Sequence, residues 1–305
     1  MYHRVAREVH DPWGLAVTPS DFEEQIAYLK KQRSAMSLKE LIHALRNRTL
    51  PRDAIAVTFD DGYRDNLVNA SPVLLRHQVP ATLFVATGYT SRKKLFWWDE
   101  LAAVTLASST RVDSFLVRGL ADIRFEWGDP ERADISGSWR AWTEPVTARQ
   151  RCYIAAWQRL RQEKADDRDT AMAQLRQSLS IPPQDLAMPM EESELREISA
   201  GGVIHLGAHT VTHPSLPGIE KGERRKEIEK SREECQRFTS NRVNEFAYPF
   251  GDLNEDVRNE VAGLNFSCAC TTEPGFLDGN IDVFRLPRIS VQATCLERFI
   301  GSIIE

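Results

Sequence analysis

Ala54-Ile55-Ala56-Val57-Thr58-Phe59-Asp60-Asp61-Gly62 is the stretch whose reading decides the fold. Its apolar, β-branched run reads as a buried strand, and Gly62 supplies the turn that follows the two carboxylates. Adjacent side chains leave an extended backbone on opposite sides, so the aspartates cannot share one role; one can ligate a metal while the other faces a water. Much later, Gly202-Val203-Ile204-His205-Leu206-Gly207-Ala208 reads as a second strand that delivers His209, with His213 four residues on. Pro214 disfavours helix there, which puts the histidine pair on a tight loop. Zinc-like ions in catalytic sites take three nitrogen or carboxylate ligands and keep a position open for water. One carboxylate, two imidazoles and a spare carboxylate therefore suit metal-assisted hydrolysis. Alone, Asp-Asp-Gly is ordinary turn chemistry and two histidines are unremarkable. The weight lies in finding both at the ends of strand-like runs, the layout that a barrel of parallel strands provides.

Outward from these points, strands alternate with helices, an α/β layout. Ser20 with Glu23 and Ser37 with Glu40 read as capping boxes, the first opening a helix through Phe22, Ile26 and Leu29. Ala81 to Ala86 reads as a strand, and Glu191 to Ser199 as a helix stopped by Gly201 and Gly202. Glu220 to Phe238 is a charged amphipathic helix with the character of a solvated outer face. Glu245 to Tyr248 reads as a strand, Leu253 to Val261 as a helix, Asn265 to Cys270 as a strand, and Cys295 to Ile303 as a closing helix.

Three segments resemble the motifs of a known family, the polysaccharide deacetylases or NodB-homology carbohydrate esterases. They are Thr58 to Gly62, His209-Thr210-Val211-Thr212-His213, and Ala247-Tyr248-Pro249-Phe250-Gly251. The resemblance covers about 1–90 and 190–305. It implies a distorted (β/α) barrel of about seven parallel strands. It also implies one divalent ion, zinc first with cobalt, nickel or iron as substitutes, and hydrolysis of the acetamide of an N-acetylated sugar or polysaccharide. By the same resemblance Asp60 is the general base, and Asp61, His209 and His213 are metal ligands. The ion and a backbone N–H would hold the oxyanion, with Tyr248, beside Pro249, as a candidate donor.

Two departures bear on the mechanism. The family's third motif carries an arginine two residues before the proline, where this chain has Ala247. Arg288 is the candidate replacement that orients Asp60; a surface arginine near a strand end is the other reading. The family's last motif places a histidine near the carboxyl end as general acid, but no histidine follows His213. Met1-Tyr2-His3-Arg4-Val5 instead resembles the start of a permuted branch that includes poly-N-acetylglucosamine deacetylases, which makes His3 the expected acid. Rival functions are an O-acetyl esterase or N-deformylase on the same fold, or a non-catalytic carbohydrate-binding protein; the intact Asp60, Asp61, His209 and His213 oppose the last.

The chain has 305 residues and a net charge of −5, enough length for one barrel with an insertion and no electrostatic case for nucleic acid. No apolar run is long enough to span a bilayer and no signal peptide is visible, so the expected location is cytoplasmic or membrane-peripheral. Five cysteines, with Cys268 and Cys270 on one face of a strand, are expected as buried free thiols in a reducing compartment. Residues from about 91 to 190 break the rhythm, and six of the seven tryptophans lie there: Trp97, Trp98, Trp127, Trp139, Trp142 and Trp157. Most are expected to form the core of a mainly helical insertion. Trp97 and Trp98, at a strand-to-helix junction, are placed to reach a cleft, Trp98 as a substrate contact. Pro182 and Pro183 mark the expected return to the barrel.

Overall fold

The computed structural model describes residues 1–7, 10–90, 92, 94–107, 112–117, 124–127, 139–178, 188–277, 281–292 and 295–303. Its contacts define two units. Met1–Arg7, Ala16–Lys94 and Pro189–Glu305 form the first; Glu8–Leu15 and Leu95–Met188 form the second.

The first unit opens with β1 (Arg4–Val5), paired in parallel with β2 (Ala16–Val17). Helix α1 (Pro19–Gln32) is capped by Thr18, whose hydroxyl accepts from the Asp21 amide. The expected cap at Ser20 is displaced upstream because Pro19 takes the first helical position, where its missing N–H is no loss. Next come β3 (Ser34–Ala35), then α2 (Leu38–Arg46) with the Ser37–Glu40 capping box, then β4 (Ala54–Ile55), which pairs with β3. The deciding stretch is thus divided, and β5 (Val57–Phe59) carries the first motif. A short helical segment leads to α3 (Ser71–His77) and β6 (Ala81–Val85).

The second unit holds α4 (Trp97–Ala102), the antiparallel pair β7 (Val112–Leu116) and β8 (Arg124–Trp127), α5 (Ala148–Leu160) and α6 (Ala165–Ser178). Its tryptophans divide by burial. Trp97 and Trp98 are buried, Trp139 and Trp157 half-buried, and Trp142 exposed. Trp98 stacks on Phe96 with centroids 4.8 Å apart. The sugar-facing role expected of Trp98 is corrected to a packing one, since its ring is enclosed. Arg168, fully buried, places its guanidinium 5.7 Å from the Trp97 ring. The side chain of Trp127, and Pro182 and Pro183 altogether, lie outside the described residues.

The first unit resumes with α7 (Glu192–Ala200), β9 (Ile204–Ala208), α8 (Lys221–Phe238), β10 (Glu245–Ala247), α9 (Glu255–Gly263), β11 (Cys268–Cys270) and α10 (Leu296–Ser302). Five strands form one parallel sheet in the order β11-β10-β9-β6-β5. Its longest register runs from Ala81 opposite Ile204 to Val85 opposite Ala208. Both faces are covered, which is why the strand sequences are apolar runs with no clean alternation. Phe59, Leu83, Val85, Leu206 and Phe246 belong to the main core, and Phe84, Ala247, Cys268 and Cys270 to a smaller cluster. Gly207 has a packing cause: a Cβ there would stand 2.4 Å from the Phe84 ring.

The sheet edges also make contacts. Tyr2 bridges Phe59 in parallel, and Cys270 bridges Leu286. The Met1 nitrogen donates to the Ile289 carbonyl at 2.8 Å, and the Val291 amide donates to the Met1 carbonyl at 2.9 Å. Helix α8 is less solvated than its composition suggests, because Arg224, Ile228, Ser231, Cys235 and Phe238 are buried along one stripe. Cys152, Cys235, Cys268 and Cys270 are buried free thiols and Cys295 is exposed. Among the described residues no helix is long and apolar enough to cross a membrane.

Candidate active site

Asp60 and Asp61 follow β5, His209 follows β9, Ala247 ends β10 and Thr271 follows β11. All lie at the carboxyl ends of parallel strands, where open α/β sheets gather their ligands. The turn after β5 is tight: Asp61 has φ +73° and Gly62 +95°. The Gly62 amide donates to the Asp60 carbonyl at 3.0 Å, and the Ala86 amide to the Asp61 carbonyl at 3.1 Å. These bonds turn two adjacent carboxylates into different surroundings.

Asp61, His209 and His213 come together as a buried cluster whose ligating atoms all lie within 4.8 Å of one another. The Asp61 Oδ1 atom stands 3.6 Å from His209 Nε2 and 3.4 Å from His213 Nε2. It is buried and accepts no hydrogen bond. His209 Nδ1 lies 2.8 Å from the Ala247 carbonyl, so that nitrogen carries the proton and Nε2 offers a lone pair to the cluster. A buried, orphaned carboxylate oxygen facing two imidazole nitrogens fits a divalent cation. Burial works to raise the Asp61 carboxyl, but His209 and His213 outweigh it and the net shift is down. For His209 burial lowers the pKa, but Asp61 and Asp60 outweigh it and the net shift is up. The same field that favours a proton on the ring favours a cation beside it.

Asp60 has different partners. Arg288 Nη1 donates to Oδ1 and Nη2 to Oδ2, each at 2.7 Å, a bidentate clamp between two buried side chains. Arg288 also donates from Nε to the Thr271 carbonyl at 2.7 Å and from Nη1 to Thr58 Oγ1 at 3.2 Å, and its guanidinium lies 5.6 Å from the Phe84 ring. Of the two readings of Arg288, the surface one is therefore corrected. Burial pushes the Asp60 carboxyl up, but Arg288 first and His209 next hold it well below the usual carboxylate range. Each oxygen spends one lone pair on the guanidinium and keeps another.

His3 enters the same neighbourhood. Its imidazole is pushed down by burial and drawn up by Asp61 and Asp60, with Arg288 and His209 opposing; the net shift is down. Tyr248 departs from expectation. Its amide donates to the Cys270 carbonyl at 3.1 Å, and its hydroxyl to the Phe284 carbonyl at 2.9 Å. Both donors hold the fold, so Tyr248 is corrected from an oxyanion donor to a structural residue.

Several residues went unread in the sequence. Glu227, on the charged face of α8, accepts from the Val211 and Thr212 amides and the Thr212 hydroxyl, each at 2.8 Å. Thr210 Oγ1 accepts from the His213 amide at 3.1 Å and donates to the His209 carbonyl at 2.5 Å. Together they hold a loop in which Thr210 and His213 have φ of +64° and +54°. Composition alone cannot separate Glu227, or the buried Asp65 and Asn66 a few residues past the first motif, from solvated neighbours.

A family model described as polysaccharide deacetylase matches residues 47–108 and 171–269, more than half of the chain. A Staphylococcus aureus poly-beta-1,6-N-acetyl-D-glucosamine N-deacetylase is 32% identical over 88 residues, 28% of this chain and 30% of that protein. Its Staphylococcus epidermidis counterpart is 29% identical over 108 residues, 35% of each chain. The chain thus spans about a third of the length of these curated relatives. Among solved structures, the Streptococcus pyogenes deacetylase PplD, in complex with acetate, superposes with a TM-score of 0.64 at 18% identity, covering 100% of this chain and 96% of that one. A putative polysaccharide deacetylase from Bacillus anthracis gives 0.61 at 19%, covering 99% and 67%. At these identities the structural likeness is one of α/β barrel-like fold. By its family model, its motifs and the cluster they build, the chain belongs to the polysaccharide deacetylase family.

Proposed function

We propose that this protein hydrolyses the acetamide of N-acetylglucosamine units in a polysaccharide, releasing acetate and leaving a free amine. The observation that carries the reading is the pairing of the Asp60–Arg288 clamp with the buried Asp61–His209–His213 cluster at the same strand ends. Relatives named as poly-beta-1,6-N-acetyl-D-glucosamine N-deacetylases supply the substrate class. Asp61, His209 and His213 would hold a divalent cation, zinc in this reading, which when bound supplies Lewis acidity to the amide carbonyl and acidifies a water.

The chain's own residues do the rest. Asp60, kept ionised by Arg288, takes the proton of the water whose oxygen attacks the carbonyl carbon. Arg288 is a positioning residue: it fixes both carboxylate oxygens and leaves a lone pair on each for that proton. His3 gives a proton to the nitrogen as the C–N bond breaks, since an amide nitrogen leaves poorly as an anion. We also count the Tyr2 segment and residues 286–291 with the five strands as a seven-position barrel. The edge bridges and the Met1 hydrogen bonds support that count. Residues from about 91 to 190 are read as an insertion into it, in keeping with the second contact unit.

The test is acetate release from β-1,6-linked N-acetylglucosamine oligomers by the purified protein, with metal analysis of the same sample. About one divalent ion per chain and acetate in step with free amine are expected. Metal-loaded protein that releases acetate only from O-acetylated sugars, or only formate from N-formyl sugars, would move the assignment to those chemistries. A metal-loaded protein with no turnover on any of them would make it a binding protein.

A further inference from the structure

The structure assigns to Asp65 and Asn66 a clasp that sets the His3 segment in register with the Asp60–Asp61 turn. The inference rests on reading His3 as the acid and extends the first motif to Asp60-Asp61-Gly62-Tyr63-Arg64-Asp65-Asn66.

His3 sits between two backbone pairings. On one side, the Tyr2 amide donates to the Thr58 carbonyl at 2.8 Å and the Asp60 amide to the Tyr2 carbonyl at 3.1 Å. On the other, β1 pairs with β2. Across His3 itself the backbone partner is a side chain: Asn66 Nδ2 donates to the His3 carbonyl at 2.9 Å. The same nitrogen donates to Asp65 Oδ1 at 3.0 Å. Both neighbours are acceptors, which orients the amide. Asp65 Oδ1 also accepts from the Val5 amide, and Oδ2 from Arg4 Nε, each at 3.0 Å. Asn69 Nδ2 donates to the Val5 carbonyl at 2.7 Å. The Arg4 guanidinium lies 4.9 Å from the Tyr63 ring centroid, which ties it back to the same turn.

Burial sets the stakes. Asp65 is 0%, Asn66 1% and Arg4 4% exposed. A carboxylate so placed is retained only where donors satisfy it, and most of the donors named here belong to the segment that carries His3. The clasp joins the turn that holds the base and one ligand to the segment that holds the acid. It sets their separation through hydrogen bonds of 2.7–3.0 Å, and a shift of about 1 Å can cost on the order of a hundredfold in rate. Asp65 and Asn66 are positioning residues that act through His3.

The test uses two substrates that differ in their need for an acid. An N-acetylglucosamine oligomer loses an amine that must be protonated, whereas 4-nitrophenyl acetate loses a phenolate that need not be. Asn66→Ala should lower kcat on the oligomer roughly tenfold to a hundredfold with KM little changed. The same variant should keep its metal and hydrolyse the aryl ester within about threefold of wild type. Asn69→Ala, at a half-buried site, should shift the two rates apart in the same direction by less, and serves if Asn66→Ala does not fold. In a His3→Ala background, Asn66→Ala should cost nothing further on the oligomer. Equal losses on both substrates, or the same loss with and without His3, would overturn the clasp and leave a structural ion pair. Full oligomer turnover by His3→Ala would overturn the acid assignment and the clasp with it.

Discussion

Replacing Arg288 by methionine keeps an unbranched stem and removes a guanidinium that makes four hydrogen bonds: two to Asp60, one to Thr58 Oγ1 and one to the Thr271 carbonyl. Asp60 is then left buried at 2% exposure without its clamp. Breaking one side of a buried ion pair costs about 3–5 kcal/mol, mostly the penalty on the charge left behind. Denaturant unfolding of wild type, Arg288→Met, Asp60→Asn and the double variant should show this loss for Arg288→Met, and a double variant less damaged than the sum of the singles. The pH dependence has a definite sign. In wild type the Asp60 carboxyl is depressed from its ordinary 3.8, so its contribution is present above that value and is lost as pH falls through and below it. The stability gap between wild type and Arg288→Met should therefore narrow as pH falls through the variant's Asp60 pKa towards the lower one of wild type. Without Arg288, burial is opposed by fewer charges and the carboxyl rises, so the acidic limb of kcat/KM should move to higher pH. An Arg288→Met protein within about 1 kcal/mol of wild type at neutral pH, with additive singles, would refute the clamp.

Three further outcomes follow from named contacts. His209→Ala with His213→Ala should purify without its divalent ion while Asp60→Asn keeps it, as read by elemental analysis; full occupancy in the double variant would remove these ligands from consideration. Glu227→Ala should weaken metal affinity by roughly 10–100-fold in chelator competition, because it releases the Val211 and Thr212 amides of the histidine loop; unchanged affinity would make that carboxylate incidental. Native protein should react with a thiol reagent at Cys295 alone, since the other four cysteines are buried and burial pushes the Cys152 thiol up to about 12; fast labelling of a second thiol would contradict the packing.

How much of this was legible depends on what carries the information. The parallel strands and most helix positions follow from apolar runs and caps, because burial and capping are written in consecutive residues. The Ser37–Glu40 box lies where the pattern puts it, and Thr18 displaced Ser20 only because a proline fixed the helix start. The residues of the Asp61–His209–His213 cluster stood out because carboxylate and imidazole side chains at the ends of strand-like runs are the types a cation would take. Arg288 was legible as a replacement for a missing charge. Tyr248 and Trp98 were misread because a polar tip or a flat ring beside a motif says nothing about whether the fold has already engaged it. Glu227 and Asp65 remained hidden for a related reason. A carboxylate that clasps backbone amides is identical in sequence to one on a solvated face, and only the path of the chain separates them.

Backbone strain links the fold to the chemistry. Among the described residues, seven other than glycine have positive φ. Arg48, Gln78 and Asn265 follow the carboxyl ends of α2, α3 and α9, where a left-handed residue commonly ends a helix. The other four, Asp61, Thr210, His213 and Phe250, all lie in the three motifs. Each costs of order 1–2 kcal/mol that glycine would not incur. Gly62 and Gly251, next to two of them, show that glycine was compatible with these turns. Stability alone would therefore favour glycine or asparagine at Asp61 and His213. A carboxylate and an imidazole persist there because the left-handed turn aims them at a common point, 3.4 Å apart. The Thr210 hydroxyl and the Glu227 carboxylate offset part of the cost by holding the loop. Strain of this kind gathers at functional sites, and here it marks two of the three residues of the Asp61–His209–His213 cluster. His209, with an ordinary backbone at the end of β9, needs no such turn because the strand already points it inward.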